Sequence, residues 1–371
     1  MNSAVLLAAA LSARGMVLAA PPPAAAPSAT PSASPTPAAT PAAAEDAASP
    51  APAAAEWTSE LPRPTRRMNV DDAVQRIWYG APQPRFRPTT AGEKEHLHAL
   101  LTALTHALRE DGTDATIDPA WEVLAHKAGF SLEAWTVDGE SYWAMVEEEG
   151  DRRGAGAYIL RVSPLEEKGP QILLEAPHVY YDLGTENLGA SLFFSPPAGT
   201  RAPRALFTNT VHRYQNSPDP ESRTPNNPAD ICHNADHLFT AATVDFAEAF
   251  ASTATIELHG FADNDPEAKS GLKAGTSIVV SGGVAAGATP FSRRVADGLR
   301  GLDKGVRLFP EEAKALGATT NVQGMALRAL KGALFVHVET SASMRHELNL
   351  DGEKRTAFGR ALLDAAVKEG S

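Results

Sequence analysis

Leu97, Leu100, Leu101, Leu104 and Leu108 recur at three- and four-residue spacing, which predicts a helix over 91–109 with one apolar face. Asp118-Pro119 then opens a second helix, with Asp as the cap and Pro in the first turn. It runs through Trp121, Val123 and Leu124 to Gly129, which supplies a stop. Beyond it the period falls to two: 131–137 and 141–147 flank Asp138-Gly139, a hairpin signal, and a third strand is predicted at 157–162. From 171 onward, apolar runs at 171–176, 204–208, 254–258, 277–281 and 333–338 alternate with stretches predicted helical at 186–194, 237–251, 291–301, 321–330 and 353–368. Strands separated by helices imply an α/β fold, a mixed and mostly parallel sheet with helices on both faces. Residues 57–165 are expected as a small α+β N-terminal portion, their first thirty or so irregular, and 166–371 as the larger α/β domain.

Composition changes the picture at the N-terminus. Residues 1–20 carry the apolar stretch Ala4–Leu11 and a small-residue region at Val17–Ala20. This reads as a secretory signal peptide, although no Lys or Arg precedes the apolar stretch. Residues 21–56 are nearly all Pro, Ala, Ser and Thr, too poor in bulky apolar surface to offset ordering entropy, and are expected to form a disordered, extended linker. An exported, periplasmic or extracellular protein follows, with no transmembrane span in its mature form and a monomeric state. The net charge of −12, with no basic block, argues against a nucleic-acid partner. Cys232 is the sole cysteine, so no intrachain disulfide can form.

Three apolar runs end in acids or histidines. Ile172-Leu173-Leu174-Glu175-Ala176-Pro177-His178 is followed by Asp182 and Glu186; Ile256-Glu257-Leu258-His259-Gly260 is the second; Phe335-Val336-His337-Val338-Glu339-Thr340 is the third. Ligands cluster beyond the carboxyl ends of strands in open α/β sheets, and hydrolytic zinc takes histidine and carboxylate donors. A bland reading stands beside this one. His178 can be a hydrogen-bonded loop residue, Glu186 a solvated first-turn acid, and Glu339 a salt-bridge partner of Arg345. An uncompensated carboxylate at the end of an apolar strand is costly, however, and a cation or catalytic water accounts for it.

These segments resemble the zinc-dependent N-acetylmuramoyl-L-alanine amidases, over roughly 171–368, and the wider set of zinc exopeptidase-like hydrolases. In the amidases an apolar strand ends in a ligand His, a ligand Glu follows on the next helix, a second His ends a later strand, and a last strand bears the catalytic Glu in a Val-Glu-Thr setting. Where the amidases carry glycines after the first His, Val179-Tyr180-Tyr181-Asp182 stands here. The resemblance implies one zinc ion per chain, held by His178, Glu186 and His259 with Asp182 as the alternative to Glu186, and Glu339 as general base. It implies metal-assisted hydrolysis of an amide or peptide bond, with peptidoglycan or a related peptide as substrate. A carboxypeptidase or amidohydrolase acting on acidic peptides or acylated amino acids is the alternative enzyme, and an inactive envelope-binding protein the alternative of another class.

Arg213 and Arg345 are candidates to clamp a substrate carboxylate, with surface or structural ion pairing as the competing role. His237 and His233 lie four apart near the start of the 237–251 helix and are candidates for substrate contact; Asp236 is the expected cap. His337 alternates with Glu339 along a strand, so both face the same side. Val279-Val280-Ser281-Gly282-Gly283 lacks the first glycine of a nucleophile elbow.

Overall fold

The computed structural model describes residues 65–79, 85–110, 115–148, 152–165, 169–215, 227–264 and 270–368. The signal peptide and linker expected over 1–56 lie outside them. The described residues form one compact unit.

Ten strands build a single sheet: β1 (Arg66–Met68), β2 (Phe130–Val137), β3 (Glu140–Glu147), β4 (Ala157–Val162), β5 (Gln171–Ala176), β6 (Ala205–Thr208), β7 (Thr253–Phe261), β8 (Ile278–Ser281), β9 (Val306–Leu308) and β10 (Ala333–Ser341). Their spatial order is β1-β2-β3-β4-β6-β5-β7-β10-β8-β9. Five neighbouring pairs are parallel and four antiparallel. The parallel run β6-β5-β7-β10 occupies the centre, as expected for strands joined by helical crossovers. The hairpin strands β2 to β4, legible from Asp138-Gly139, continue this sheet, because β4 pairs antiparallel with β6. Hydrogen bonding therefore runs uninterrupted across the 165/166 boundary.

Side chains on the central strands alternate between two interiors. Ile172 and Leu174 of β5, Ala254, Ile256 and Leu258 of β7, and Val336 and Val338 of β10 enter one core. That core is closed by Leu188 and Phe193 of the Thr185–Phe194 helix, Phe291 and Val295 of the Pro290–Arg300 helix, and Phe358 and Leu362 of the Gly352–Val367 helix. The opposite face packs Leu173 and Phe207 against Leu97, Leu101 and Leu104 of the Ala91–Glu110 helix and Phe239 and Phe246 of the Leu238–Ala249 helix. On that face β7 carries Thr253, Thr255, Glu257 and His259, and β10 carries His337 and Glu339, all buried. So many polar side chains in one buried stripe need partners. No helix among the described residues is long and apolar enough to cross a membrane.

Candidate metal centre

Strand register assembles the polar stripe. Glu175, Glu257, His337 and Ser281 pair laterally across β5, β7, β10 and β8. Two residues further toward the carboxyl ends of β7 and β10, His259 stands beside Glu339. The chain leaves β5 through a turn in which the Asp182 amide donates to the His178 carbonyl at 2.7 Å. This turn brings His178 and Asp182 over the same strand ends.

His178 and His259 converge on one carboxylate oxygen. Asp182 Oδ2 lies 3.2 Å from His259 Nδ1 and 3.8 Å from His178 Nδ1. These are ion-pair distances only: Oδ2 is buried and accepts no hydrogen bond. Each imidazole has its other nitrogen held by a second carboxylate, His178 Nε2 by Asp230 Oδ1 at 3.0 Å and His259 Nε2 by Glu257 Oε1 at 2.9 Å. Arg213 Nη1 donates to His178 Nδ1 at 3.2 Å, so that nitrogen carries the lone pair and Nε2 donates to Asp230. Burial, then Arg213, pushes the His178 pKa down to about 4, leaving a neutral ring. Burial works against charge on His259 as well, but the Glu257 carboxylate, then Asp182 facing Nδ1, override it and raise its pKa to about 10. Burial opposes ionisation of Asp182 too, yet His259 holds it below its ordinary range.

Glu257 organises the floor of the site. Its Oε1 accepts from the Cys232 thiol at 3.0 Å, and Asn321 Nδ2 lies 2.9 Å from both of its oxygens. Burial would raise its pKa, but His259 and His337 keep it ionised. His337 Nε2 lies 3.1 Å from Glu339 Oε1, while its Nδ1 faces Glu257 Oε2 at 3.7 Å without a hydrogen bond. Glu339 Oε2 is likewise buried and unpartnered. Glu175 differs: burial, then the Glu257 charge, lifts its pKa well above the carboxylate range, which favours its protonated form.

The remaining sequence candidates have identifiable partners. Glu186 opens the Thr185–Phe194 helix and turns back to accept from the Gly184 amide at 2.8 Å and from the Tyr79 hydroxyl at 3.2 Å. Arg213 is engaged by Asp230 through Nε and Nη2, and its guanidinium lies over the rings of Tyr181 and Tyr214. Arg345 donates to main-chain carbonyls of Leu183, Phe261 and Thr340. His237, rather than Asp236, caps the Leu238–Ala249 helix: Nδ1 accepts from the Phe239 amide at 3.0 Å and Nε2 donates to the Gly154 carbonyl at 2.9 Å. The half-exposed His233 contacts Asp230 and Thr320.

Two groups among the described residues have donor atoms close enough to hold a metal ion: His178, Cys232 and His259, and Glu257, His259 and His337. Sequence reasoning did not give Glu257, Asp230 or Cys232 a place in the centre. The signal for Glu257 was available in its two-residue offset from His259, which puts both on one strand face. Asp230 and Cys232 lie in turns with no periodicity to mark them. Several observations suit a divalent cation. Three unpartnered atoms, Asp182 Oδ2, His337 Nδ1 and Glu339 Oε2, are buried in this cluster. The imidazole–carboxylate pairing is the arrangement that orients metal-ligating histidines.

A scan against protein-family models finds no match, and no curated protein sequence matches. Among solved structures, the chain is similar to a metallo-carboxypeptidase from Burkholderia cenocepacia, with TM-score 0.33 and 14% identity over 56% of this chain and 59% of that one. It is also similar to an N-acetylmuramoyl-L-alanine amidase from Clostridium difficile 630, with TM-score 0.28 and 10% identity over 54% of this chain and 95% of that one. An aspartoacylase family protein from Mesorhizobium loti gives TM-score 0.35 and 12% identity over 62% and 69% of the two chains. The chain thus spans about three fifths of the carboxypeptidase's length.

Proposed function

We propose that the protein is a zinc-dependent hydrolase of an amide or peptide bond, with His178, Asp182 and His259 as the metal ligands and Glu339 as the general base. The observation that carries this reading is the meeting of two histidine Nδ1 atoms at one unpartnered carboxylate oxygen, with each Nε2 held by its own buried carboxylate. Two imidazoles and a carboxylate are a hydrolytic zinc donor set that leaves a fourth position open; His178 and His259 already share a group whose donor atoms lie close enough for one ion, and Asp182 would close on the ion as it binds. Asp182 is favoured over Glu186 as the acidic ligand, because the Glu186 carboxylate is directed to Gly184 and Tyr79.

A bound zinc ion would supply Lewis-acid polarisation of the scissile carbonyl and acidify its water. The chain's own residues do the rest. Asp230 and Glu257 fix the tautomer and the orientation of the two rings. Glu339, on the strand beside His259, has one oxygen held by His337 and the other free to accept a proton from water and return it to the leaving amine. Arg213 is committed to Asp230, which favours a role in stabilising the site over substrate capture, and its contact with His178 Nδ1 would give way to the ion.

Within this reading the substrate is peptidoglycan or a related peptide, met outside the cytoplasm if residues 1–20 direct export. A carboxypeptidase-like or acylated-amino-acid substrate uses the same chemistry and is separated by assay. The test is zinc content of the full chain beside Asp182→Asn, Glu186→Gln and His259→Ala, followed by hydrolysis assays on peptidoglycan, peptides and acylated amino acids. About one zinc per wild-type chain is expected, lost in D182N and H259A and retained in E186Q. A wild type that binds no zinc after supply and removal of excess ion sinks the hydrolase reading.

A further inference from the structure

Arg345 stands in the Ala342–Leu350 helix and is nine-tenths buried, yet among the described residues it pairs directly with no carboxylate. Its Nε donates to the Leu183 carbonyl at 3.0 Å, and its Nη1 donates to the carbonyls of Phe261, at 3.4 Å, and Thr340. Each carbonyl belongs to a segment that carries a different residue of the centre. Leu183 follows Asp182, Phe261 lies two beyond His259, and Thr340 follows Glu339. One turn further along the same helix, Asn349 Nδ2 donates to the Gly184 carbonyl at 3.1 Å, tying down the loop that bears Asp182 a second time.

Gly260 supplies an independent observation. A Cβ at this position would lie 1.8 Å from Arg345 Nη1 and 2.2 Å from Cζ. Gly260 continues β7 inside the paired register with β10, so the glycine is needed for space rather than for unusual backbone geometry. The residue after His259 is thus left without a side chain where the guanidinium passes over the strand. A close backbone approach of this kind is one of the uses of a glycine within a strand.

We infer that Arg345 is a positioning residue: its guanidinium sets the mutual spacing of the segments that carry Asp182, His259 and Glu339, and Gly260 is the notch that admits it. The inference rests on the zinc reading of the site. Guanidinium is planar and presents its donors in a fixed fork, so it can hold three carbonyls at set distances. A lysine at 345 keeps the positive charge near Asp182 and Glu339 but cannot reproduce the fork.

The test measures zinc affinity by chelator competition, the visible spectrum of the cobalt-loaded protein, and the melting temperature of the zinc-free protein. It uses the full chain as wild type, Arg345→Lys, Arg345→Gln, Gly260→Ala, Asn349→Ala and the double variant Gly260→Ala/Arg345→Lys. Leu104→Ala, a core truncation in the Ala91–Glu110 helix, controls for general destabilisation. R345K, R345Q and G260A are expected to bind zinc about ten-fold or more weakly, in the range seen when groups that orient metal ligands are removed. Their cobalt spectra should shift together. The double variant should be no weaker than R345K, because both changes break the same contact. L104A should melt earlier with unchanged zinc affinity. Wild-type zinc binding in R345K shows that charge alone suffices and overturns the inference, as does a double variant whose losses multiply. Should the Arg345 variants fail to fold, N349A carries the test: weaker zinc binding supports the clamp, and unchanged affinity overturns it. A wild type that takes up no zinc overturns the metal reading and this inference together.

Discussion

Two histidines from different strand ends present the same ring nitrogen to Asp182, and their other nitrogens are already occupied by Asp230 and Glu257. This division of labour makes separable predictions for ligands and for the groups behind them. Asp230→Asn and Glu257→Gln should still bind zinc, but roughly 10–100-fold more weakly, which chelator competition measures. Affinity equal to wild type would show that these carboxylates do not orient the rings. Glu339→Gln should keep full zinc content and lose activity by about two to four orders of magnitude, the usual contribution of a general base. Loss of zinc in that variant would make Glu339 a ligand instead. Glu175 gives a pH-dependent prediction. Its folded pKa is raised, by burial first and the Glu257 charge second, so folding favours its protonated form. The stabilisation it gives in acid is therefore lost progressively as pH rises above the unfolded value of about 4.3. Glu175→Gln should remove this decline, so the zinc-free variant should be at least as stable as wild type at pH 7 in denaturant titrations. A large loss of stability at pH 7 would mean that Glu175 is needed as an anion.

At the scale of elements, β7 and β10 carry the centre between them. They pair in parallel register from Thr253 opposite Ala333 to Phe261 opposite Ser341, and this fixes which polar residues share a row. A slip of one residue in either strand would send its polar set into the apolar core on the other face, so register is strongly specified. His237 belongs to a different element and a different role. It caps the Leu238–Ala249 helix and satisfies the Gly154 carbonyl. His237→Ala should destabilise the protein by about 1–3 kcal/mol, from a lost cap and an unsatisfied carbonyl, with zinc content unchanged. Unaltered melting with altered substrate affinity would instead make it a substrate contact.

For the whole molecule, the main consequence is the continuity of the sheet. β4 covers the edge that β6 would otherwise expose, and the core on that face mixes Leu97, Leu101 and Leu104 with Phe207, Phe239 and Phe246. A chain cut to residues 166–371 would bare both a strand edge and an apolar face. It should lack the near-ultraviolet dichroism of the intact protein and self-associate on size exclusion. A monomeric, cooperatively melting 166–371 chain would show that the N-terminal portion is dispensable for folding.

Local periodicity was enough for the helices whose apolar residues recur at helical spacing, for the hairpin at Asp138-Gly139, and for the α/β character of the region after 171, because 3.6- and two-residue patterns record which face is buried. It also placed His178, His259 and Glu339 at strand ends, since an acid or imidazole closing an apolar run stands out against its neighbours. Register, turns and long-range partners were beyond its reach. That Asp182 rather than Glu186 faces both histidines depends on how the chain turns after β5, and the two acids are chemically alike in sequence. That Asp230 and Cys232 meet residues some fifty and twenty-five positions away depends on loops with no repeating pattern. Arg345 shows the limit most clearly. A cation following Glu339 suggests an ion pair, but its three carbonyl partners come from segments joined only by the completed fold, and the sequence records their meeting only as a glycine at 260.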